Sequence, residues 1–346
     1  MIYKKIANTI KKIDNALVVT DNDPDGISAA ILMKVILNRL GKEYGIVVRD
    51  HRKLDNLRDI IKNHSSYSSY IFLDSPFPDK DLIEMATNYK DRVFIYIDHH
   101  KRAIPEELPE NLKYYDIRAL GMEIGSTAGI AYKVGKNLFK NDFKRYSIIA
   151  MIGAIGDWMV DEDILEDFNS EYKNRFVQNK IFLYPTFILF NTFLFGNSKE
   201  LVENGELLID NPYAFFSSID YDFISKRIKS FYKKIANLEK IYESEKLLVF
   251  KSKGTISIIA SFIHVLYPSK ILIIVSNTAD NFLEKIFPRK YKVSVRCSLE
   301  KMDVGKLMSE FTSRYGIYGG GHPAAAGGKI WIKDLGKLIE FLESRI

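Results

Sequence analysis

The chain has one cysteine, Cys297, in 346 residues, which excludes an internal disulfide framework and a zinc site built from thiolates. It has no charge-segregated tail either. Acids and bases, 44 and 50 in number, are interspersed, and the net charge of +6 is modest for this length. Charge therefore permits an anionic partner without demanding one. There is no internal repeat and no low-complexity tract. The N-terminal MIYKKIANTIKKI lacks the long apolar core and small residues of a secretory signal, so a reducing, cytoplasmic compartment is expected. The longest uncharged stretch, residues 181–198, is interrupted by Pro185, Thr186 and Asn191, whereas a membrane-spanning helix needs about 20 predominantly apolar residues. We expect no membrane span. This Phe-rich stretch suits a buried connector or a contact surface, which makes the chain a candidate homo-oligomer or a docking partner for another protein.

What is present is ample core material, 47% hydrophobic residues, enough for two domains. The first half alternates β-branched runs with helical patterns, the signature of a parallel sheet covered by helices. Strands are expected at 15–21, 45–50, 69–74 and 92–98, with a helix over 26–41 closing on Gly41 and a helical pattern from Thr127 to Met159. From about 160 to 243 the pattern is charged, aromatic and irregular, and it ends in an amphipathic helix expected over 225–246. A second α/β unit is expected from 246, with a helix at 256–267, strands at 270–276 and 292–299, and a Gly-rich segment near 319. The expectation is an α/β chain of three parts: a catalytic domain over 1–165, a helical connector over 166–243 and a smaller substrate-binding domain over 244–346.

The first, third and fourth expected strands end in Asp, and open α/β sheets bind ligands beyond the carboxyl ends of their strands. After the first strand, VVTDNDPDG places Asp21, Asp23 and Asp25 on alternate residues. In an extended segment these would share one side, and like charges so close repel unless a cation neutralises them. An acidic loop with an Asp helix cap is the plainer alternative. Asp74 ends the third strand, Asp98, His99 and His100 end the fourth, and Asp157 closes an otherwise apolar helical run, where it opposes the helix dipole. Carboxylates with imidazole and no thiolate suit Mn²⁺, Mg²⁺ or Co²⁺. Five or six such groups suit a pair of ions.

In this order, DNDPDG, the strand-end Asp74, DHH and GDW closely resemble the four motifs of the DHH phosphoesterase superfamily, which includes RecJ-type exonucleases, nanoRNases, cyclic-dinucleotide phosphodiesterases and family II pyrophosphatases. YGGGHPAAAGG at 318–328, with KVSVRCSL upstream, is similar to the signature of the associated C-terminal domain. The resemblance covers both ends of the chain and leaves roughly 160–240 unmatched. It implies that Asp21, Asp23, Asp25, Asp74, His99 and Asp157 hold two divalent ions, Mn²⁺ preferred, with Asp74 bridging. It implies that Asp98 orients an imidazole, and that His100 faces the phosphate as hydrogen-bond or proton donor. Gly319, Gly320, Gly321 and His322 would cradle phosphate through exposed backbone N–H groups, with Arg296 as a bidentate partner; alone, these would read as a turn and a solvated strand arginine. The cleft between the two domains would then hold the chemistry.

The function implied is a single-strand-specific exonuclease acting on DNA or RNA to release 5′-mononucleotides, in replication, repair or RNA turnover, with a protein of those processes as a further partner. The expected direction is 3′→5′, since compact RecJ-like proteins are not confined to the RecJ direction. Lysines and arginines over 226–240, with Phe231 and Tyr232, are candidates to track the strand. The alternatives are a nanoRNase, a phosphatase of 3′-phosphoadenosine phosphate, a cyclic-dinucleotide phosphodiesterase, and a non-catalytic scaffold subunit.

Overall fold

Apolar residues fill both faces of four successive short strands, and that forces the first unit into layers. In β1 (Asn15–Thr20), Ala16 and Val18 face one way and Leu17 and Val19 the other, all four buried. A strand buried on both sides belongs in the middle of a parallel sheet covered by helices. The computed structural model describes residues 2–49, 57–100, 104–121, 125–157, 159–173, 198–211, 230–231, 233–253, 256–264, 266–278, 289–299 and 302–346. The chain divides into two units, Met1–Ile219 and Asp220–Ile346.

In the first unit β1 pairs in parallel with β2 (Glu43–Val48) on one side and β3 (Ser69–Leu73) on the other, followed by β4 (Val93–Asp98) and β5 (Leu112–Asp116). The order is β2-β1-β3-β4-β5, so the winding reverses between β1 and β3, where such sheets leave a crevice at their carboxyl edge. One face is covered by α1 (Ile2–Lys12), α2 (Pro24–Arg39), α5 (Thr127–Phe139) and α6 (Ser147–Gly156), with Ile71, Leu73, Ile95 and Ile97 from the strands. The other face packs Tyr70, Phe72, Phe94 and Tyr96 against α3 (Leu57–Asn63) and α4 (Asp79–Asn88). Helices α7 (Glu162–Glu171), α8 (Ser198–Asn204) and α9 (Leu207–Asp210) complete the described part of this unit.

Helix α2 begins at Pro24, two residues before the expected start. Asp23 caps it by accepting from Gly26 N at 2.9 Å, and proline suits the first helical position. Asp23 and Asp25 therefore stand at a helix entrance and not along an extended segment.

The second unit is a six-stranded mixed sheet in the order β10-β11-β9-β8-β7-β6. Its strands are β6 (Glu239–Glu243), β7 (Leu247–Lys251), β8 (Ile271–Thr278), β9 (Lys290–Arg296), β10 (Gly316–Gly321) and β11 (Ala325–Trp331). Helix α10 (Ile256–His264) links β7 to its parallel neighbour β8, while α11 (Val304–Tyr315) and α12 (Leu335–Glu343) share a core with the other face. The amphipathic helix expected over 225–246 is corrected here. Helical residues end by Ala236, and Glu239–Glu243 forms an edge strand antiparallel to β7. The turn between them is closed by Ser244 N donating to Leu247 O, and pairing against β7, whose Leu247, Leu248 and Val249 are buried, outweighs the local helical period. Residues 226–229 and Tyr232 lie outside the described residues, as does the uncharged aromatic stretch apart from Ser198. Among the described residues no helix is long and apolar enough to cross a membrane.

Candidate metal centre

Three strand ends and two helix ends converge beyond the carboxyl edge of the first sheet. Asp74 follows β3 directly and is 1% exposed. Its φ of 50° lies in the left-handed region, which Asp tolerates better than most residues and which frequently marks a functional position. Its amide donates to Ile97 O at 3.2 Å, which fixes the carboxylate beside the end of β4. Oδ1 accepts from Thr127 Oγ1 at 3.3 Å. Oδ2 is buried with no hydrogen-bond partner.

His99 follows β4 and is fully buried. Its Nδ1 donates to the carbonyl of Gly125 at 2.9 Å, which leaves Nε2 turned toward the acids. That nitrogen lies 3.2 Å from Asp74 Oδ1, 3.1 Å from Asp157 Oδ2 and 3.5 Å from Asp25 Oδ2. The Gly125 backbone, at φ 156°, is a conformation L side chains seldom adopt, so the carbonyl that aims His99 depends on a glycine.

Asp25 is fully buried in the first turn of α2. Its carboxylate accepts from the amides of Thr127 at 2.6 Å and Ala128 at 2.9 Å, at the N-terminus of α5. The positive ends of two helices thus help to hold this anion. Asp157 is the residue at which α6 ends, its amide donating to Gly153 O at 3.2 Å.

Asp25, Asp74, His99 and Asp157 each present a ligand atom within 4.8 Å of the others. Asp21 and Asp23 do not join that group among the described residues. Asp21 accepts from Asn22 N at 2.9 Å and Asp23 caps α2. Both remain near enough to act electrostatically: burial first, then Asp157, Asp21 and Asp25, raise Asp23 to about 7. Burial, then Asp157, raise Asp25 to about 6. Asp74 is pushed well above the carboxylate range by burial and by Asp23 and Asp25. Burial opposes charge on His99, but Asp157 and Asp74 outweigh it and hold the imidazole well above its usual range.

The residues fit a divalent cation. With Nδ1 committed to Gly125, Nε2 and the facing carboxylates are all electron-pair donors, so a proton or a cation must stand between them. The orphaned Asp74 Oδ2 is a further lone pair with nothing to bind. Oxygen with one or two imidazole donors and no thiolate matches Mn²⁺ or Mg²⁺.

Asp98, also buried, orients His100 rather than His99. Its Oδ1 accepts from the amides of His99 at 2.6 Å and His100 at 3.2 Å and from His100 Nδ1 at 2.5 Å, while Oδ2 accepts from Tyr96 Oη at 2.6 Å. Burial works against its charge, but His100, His99 and Tyr96 together hold it below the usual carboxylate range. Asp98 raises His100 in return, against burial, and 24% of the His100 side chain is exposed.

The remaining expected residues belong to the second unit. Arg296 is tied down: Nε donates to Ser261 Oγ at 3.1 Å, Nη1 to Ser294 Oγ at 3.1 Å and Val295 O at 2.8 Å, and Nη2 to Ser257 O at 3.3 Å. Gly319, Gly320 and Gly321 form the end of strand β10, not a free loop, because α11 packs against this hairpin; a Cβ on Gly319 would meet Thr312 Cγ2 at 2.7 Å. His322 turns the hairpin, donating from N to Ala325 O at 2.7 Å and accepting from Gly305 N at 3.0 Å. Thr127 and Gly125, which position Asp25, Asp74 and His99, and Tyr96, which holds Asp98, were absent from the expected site. The only sequence signal for the first two was the Ser126 cap of α5.

The raised carboxylates carry a pH prediction. In the folded, metal-free chain Asp23 and Asp25 keep protons to about pH 7 and about pH 6 that an unfolded chain releases near 3.8. Their contribution to stability is therefore intact below about pH 4 and is lost as pH rises to about 7. A cation relieves the repulsion, so Mn²⁺ is expected to raise Tm more at about pH 8 than at about pH 5. Thermal melts with Mn²⁺ or EDTA at the two pH values check this; an equal or larger Mn²⁺ effect at the lower pH would contradict it.

Residues 15–156 match the DHH family, N-terminal domain, and residues 246–346 match the DHHA1 domain. No curated protein sequence matches the chain. Among solved structures it is similar to RecJ from Thermus thermophilus in complex with Mn²⁺, with a TM-score of 0.64 and 14% identity over 99% of this chain and 54% of that one. It thus spans about half of that protein's length. It is also similar to a DHH domain described as a member of a family of ribosomal proteins, with a TM-score of 0.68 and 14% identity over 99% of this chain and 89% of that one. CDC45 from Entamoeba histolytica follows, with a TM-score of 0.51 and 12% identity over 99% and 98%. At such identities these likenesses concern the fold. The two family matches, with the strand-end acids and DHH triplet on the page, establish that the chain belongs to the DHH phosphoesterase superfamily, with an N-terminal DHH domain and a C-terminal DHHA1 domain.

Proposed function

We propose that the protein is a Mn²⁺-dependent phosphodiesterase that hydrolyses single-stranded nucleic acid from an end, releasing 5′-mononucleotides. One observation carries this reading: His99 Nε2 and the Asp25, Asp74 and Asp157 carboxylates face one another within 3.5 Å of that nitrogen, next to the orphaned Asp74 Oδ2. Such an arrangement needs cationic charge. RecJ from Thermus thermophilus, which shares the fold, is in complex with Mn²⁺ in one structure and Mg²⁺ in another.

Asp25, Asp74, His99 and Asp157 would hold divalent ions, with Asp21 and Asp23 as additional acids at the mouth. Bound there, the ions would supply Lewis acidity toward phosphoryl oxygens and an activated water. The chain's own part is positional. Gly125 and the α5 amides fix His99 and Asp25, and Asp98 aims His100 and favours its protonated form, from which His100 would donate a hydrogen bond to phosphate or a proton to the leaving oxygen. In the second unit Arg296, Gly319, Gly320, Gly321 and His322 would bind the phosphate. Their fixed geometry favours this role, since a guanidinium already held by Ser257, Ser261 and Ser294 loses little freedom on binding. We further propose self-association or a replication or repair partner for the protein in a cytoplasmic setting.

A time course on 5′-labelled and 3′-labelled single-stranded DNA and RNA, with dinucleotides and cyclic dinucleotides alongside, tests the reading. Stepwise release of 5′-mononucleotides with Mn²⁺, and none with EDTA, is expected. Turnover of dinucleotides or cyclic dinucleotides with none of longer strands would replace this reading with the small-substrate one.

A further inference from the structure

Asp98 is held by four donors, and one of them is a hydroxyl that the core does not need. Oδ1 accepts from the amides of His99 and His100 and from His100 Nδ1, while Oδ2 accepts from Tyr96 Oη at 2.6 Å. An ionised carboxylate has about four lone-pair sites, so these donors fill it. Tyr96 stands there because β4 alternates: Phe94, Tyr96 and Asp98 fall on one side of the strand, where rings pack against α3 and α4. Tyr96 is fully buried and stacks on Tyr114, its register partner in β5, with ring centres 4.7 Å apart. Tyr114 sends its own hydroxyl elsewhere, to Asp79 Oδ1 at 3.0 Å.

Packing alone asks only for the ring. Phe72 and Phe94 fill the same face without an oxygen, and a buried hydroxyl costs free energy unless it is hydrogen-bonded. What the Tyr96 oxygen adds is a second point of attachment for Asp98. The χ2 torsion of an aspartate is broad and roughly two-fold, so the side chain does not set the plane of its own carboxylate. Three of the donors hold Oδ1, and Tyr96 holds Oδ2. Without that hydroxyl Oδ2 would be a buried acceptor with no donor, which is costly. A turn about χ2 toward another donor would then carry Oδ1 away from His100 Nδ1.

We propose that Tyr96 is a positioning residue: its hydroxyl fixes the plane of the Asp98 carboxylate, and that plane fixes the His100 imidazole for its work on the phosphodiester. This rests on the proposed phosphodiesterase reading, in which His100 meets the phosphate, and adds to it a residue that never touches substrate. Misplacing a catalytic group by about 1 Å can cost about 10²-fold in rate, so one buried oxygen is enough to matter.

Tyr96→Phe removes the oxygen and keeps the ring, and Tyr114→Phe does the same to the other member of the stack as a matched control. Both are compared with wild type as full chains. On a single-stranded oligonucleotide with Mn²⁺, Tyr96→Phe is expected to lower kcat at least about tenfold with KM little changed, and Tyr114→Phe to keep the wild-type kcat. In a His100→Gln background Tyr96→Phe should lower kcat no further, because what it positions is gone. Mn²⁺ affinity by calorimetry should stay at the wild-type value, since the contacts that place Asp25, Asp74 and His99 Nε2 do not pass through Tyr96.

A further readout needs no turnover. In EDTA the proton between His100 Nδ1 and Asp98 Oδ1, in a bond of 2.5 Å, should give a low-field imidazole N–H resonance, assigned by its loss in His100→Gln. Tyr96→Phe should shift or broaden it, and Tyr114→Phe should not. Either a wild-type kcat or an unmoved resonance in Tyr96→Phe would overturn the proposal. An equal loss of kcat in Tyr114→Phe would mark a general loosening of the stack, and lost Mn²⁺ binding in Tyr96→Phe would make the tyrosine a support of the metal centre; each overturns it too. A wild-type chain that hydrolyses no phosphodiester would overturn the parent reading instead, and the resonance would still decide whether Tyr96 sets His100.

Discussion

Asp74→Asn is expected to lower Mn²⁺-stimulated hydrolysis by at least about 10³-fold while leaving the metal-free protein as stable as wild type or more so. Both halves come from the same atoms. The carboxylate is buried, held at 3.2 Å from His99 Nε2 and pushed far up by burial and by Asp23 and Asp25, so in the absence of a cation its charge works against folding. Asparagine keeps the shape and tolerates the left-handed backbone at φ 50°, which separates loss of charge from loss of fold. Thermal melting in EDTA and in Mn²⁺, beside the hydrolysis assay, reads the two effects. A lower Tm in EDTA together with undiminished turnover would show that Asp74 is structural.

Gly153→Ala has the next largest expected effect. In an open helix alanine would stabilise by about 1 kcal/mol over glycine. Here, inside α6, a Cβ would meet Ala128 Cβ at 2.5 Å, Asp25 Oδ1 at 2.8 Å and Ser28 Cβ at 3.1 Å. Overpacking of this kind costs about 1–3 kcal/mol, and one of the atoms met belongs to the Asp25 carboxylate, whose other oxygen faces His99. Urea titration should therefore show a net loss of stability, and Mn²⁺ affinity should drop with it. A more stable variant of wild-type metal affinity would mean that α6 does not pack closely against Asp25.

Much of the first unit was legible because its signals are local. The runs around Val18, Phe72 and Ile95 are β-branched or aromatic and end on acids, so strands, sheet type and the carboxyl edge could be read together. Strand β5 was missed. Its pattern, with Lys113 exposed between buried Leu112 and Tyr114, is that of a short edge strand. What aims the strand-end groups was not legible, because the contacts are distant in sequence. Asp25 meets the amides of Thr127 and Ala128 more than a hundred residues away, and His99 meets the Gly125 carbonyl. Asp98 was expected to orient an imidazole, but which of the two neighbours it takes depends on the turn of the chain after β4. In the second unit the glycines of 319–321 were read as a phosphate cradle, and alone would read as a turn. They serve the approach of α11 to a hairpin, where a Cβ on Gly305 would meet the Gly321 carbonyl oxygen at 2.2 Å.

Calorimetric titration of metal-free protein with Mn²⁺ at about pH 8 tests most directly whether the strand-end acids form a cation site. Two ions per chain are expected, bound with release of protons because Asp23, Asp25 and His99 sit above their ordinary values, and Asp74→Asn should lose at least one of them. Binding weaker than about 1 mM, or a titration that Asp74→Asn leaves unchanged, would contradict the account.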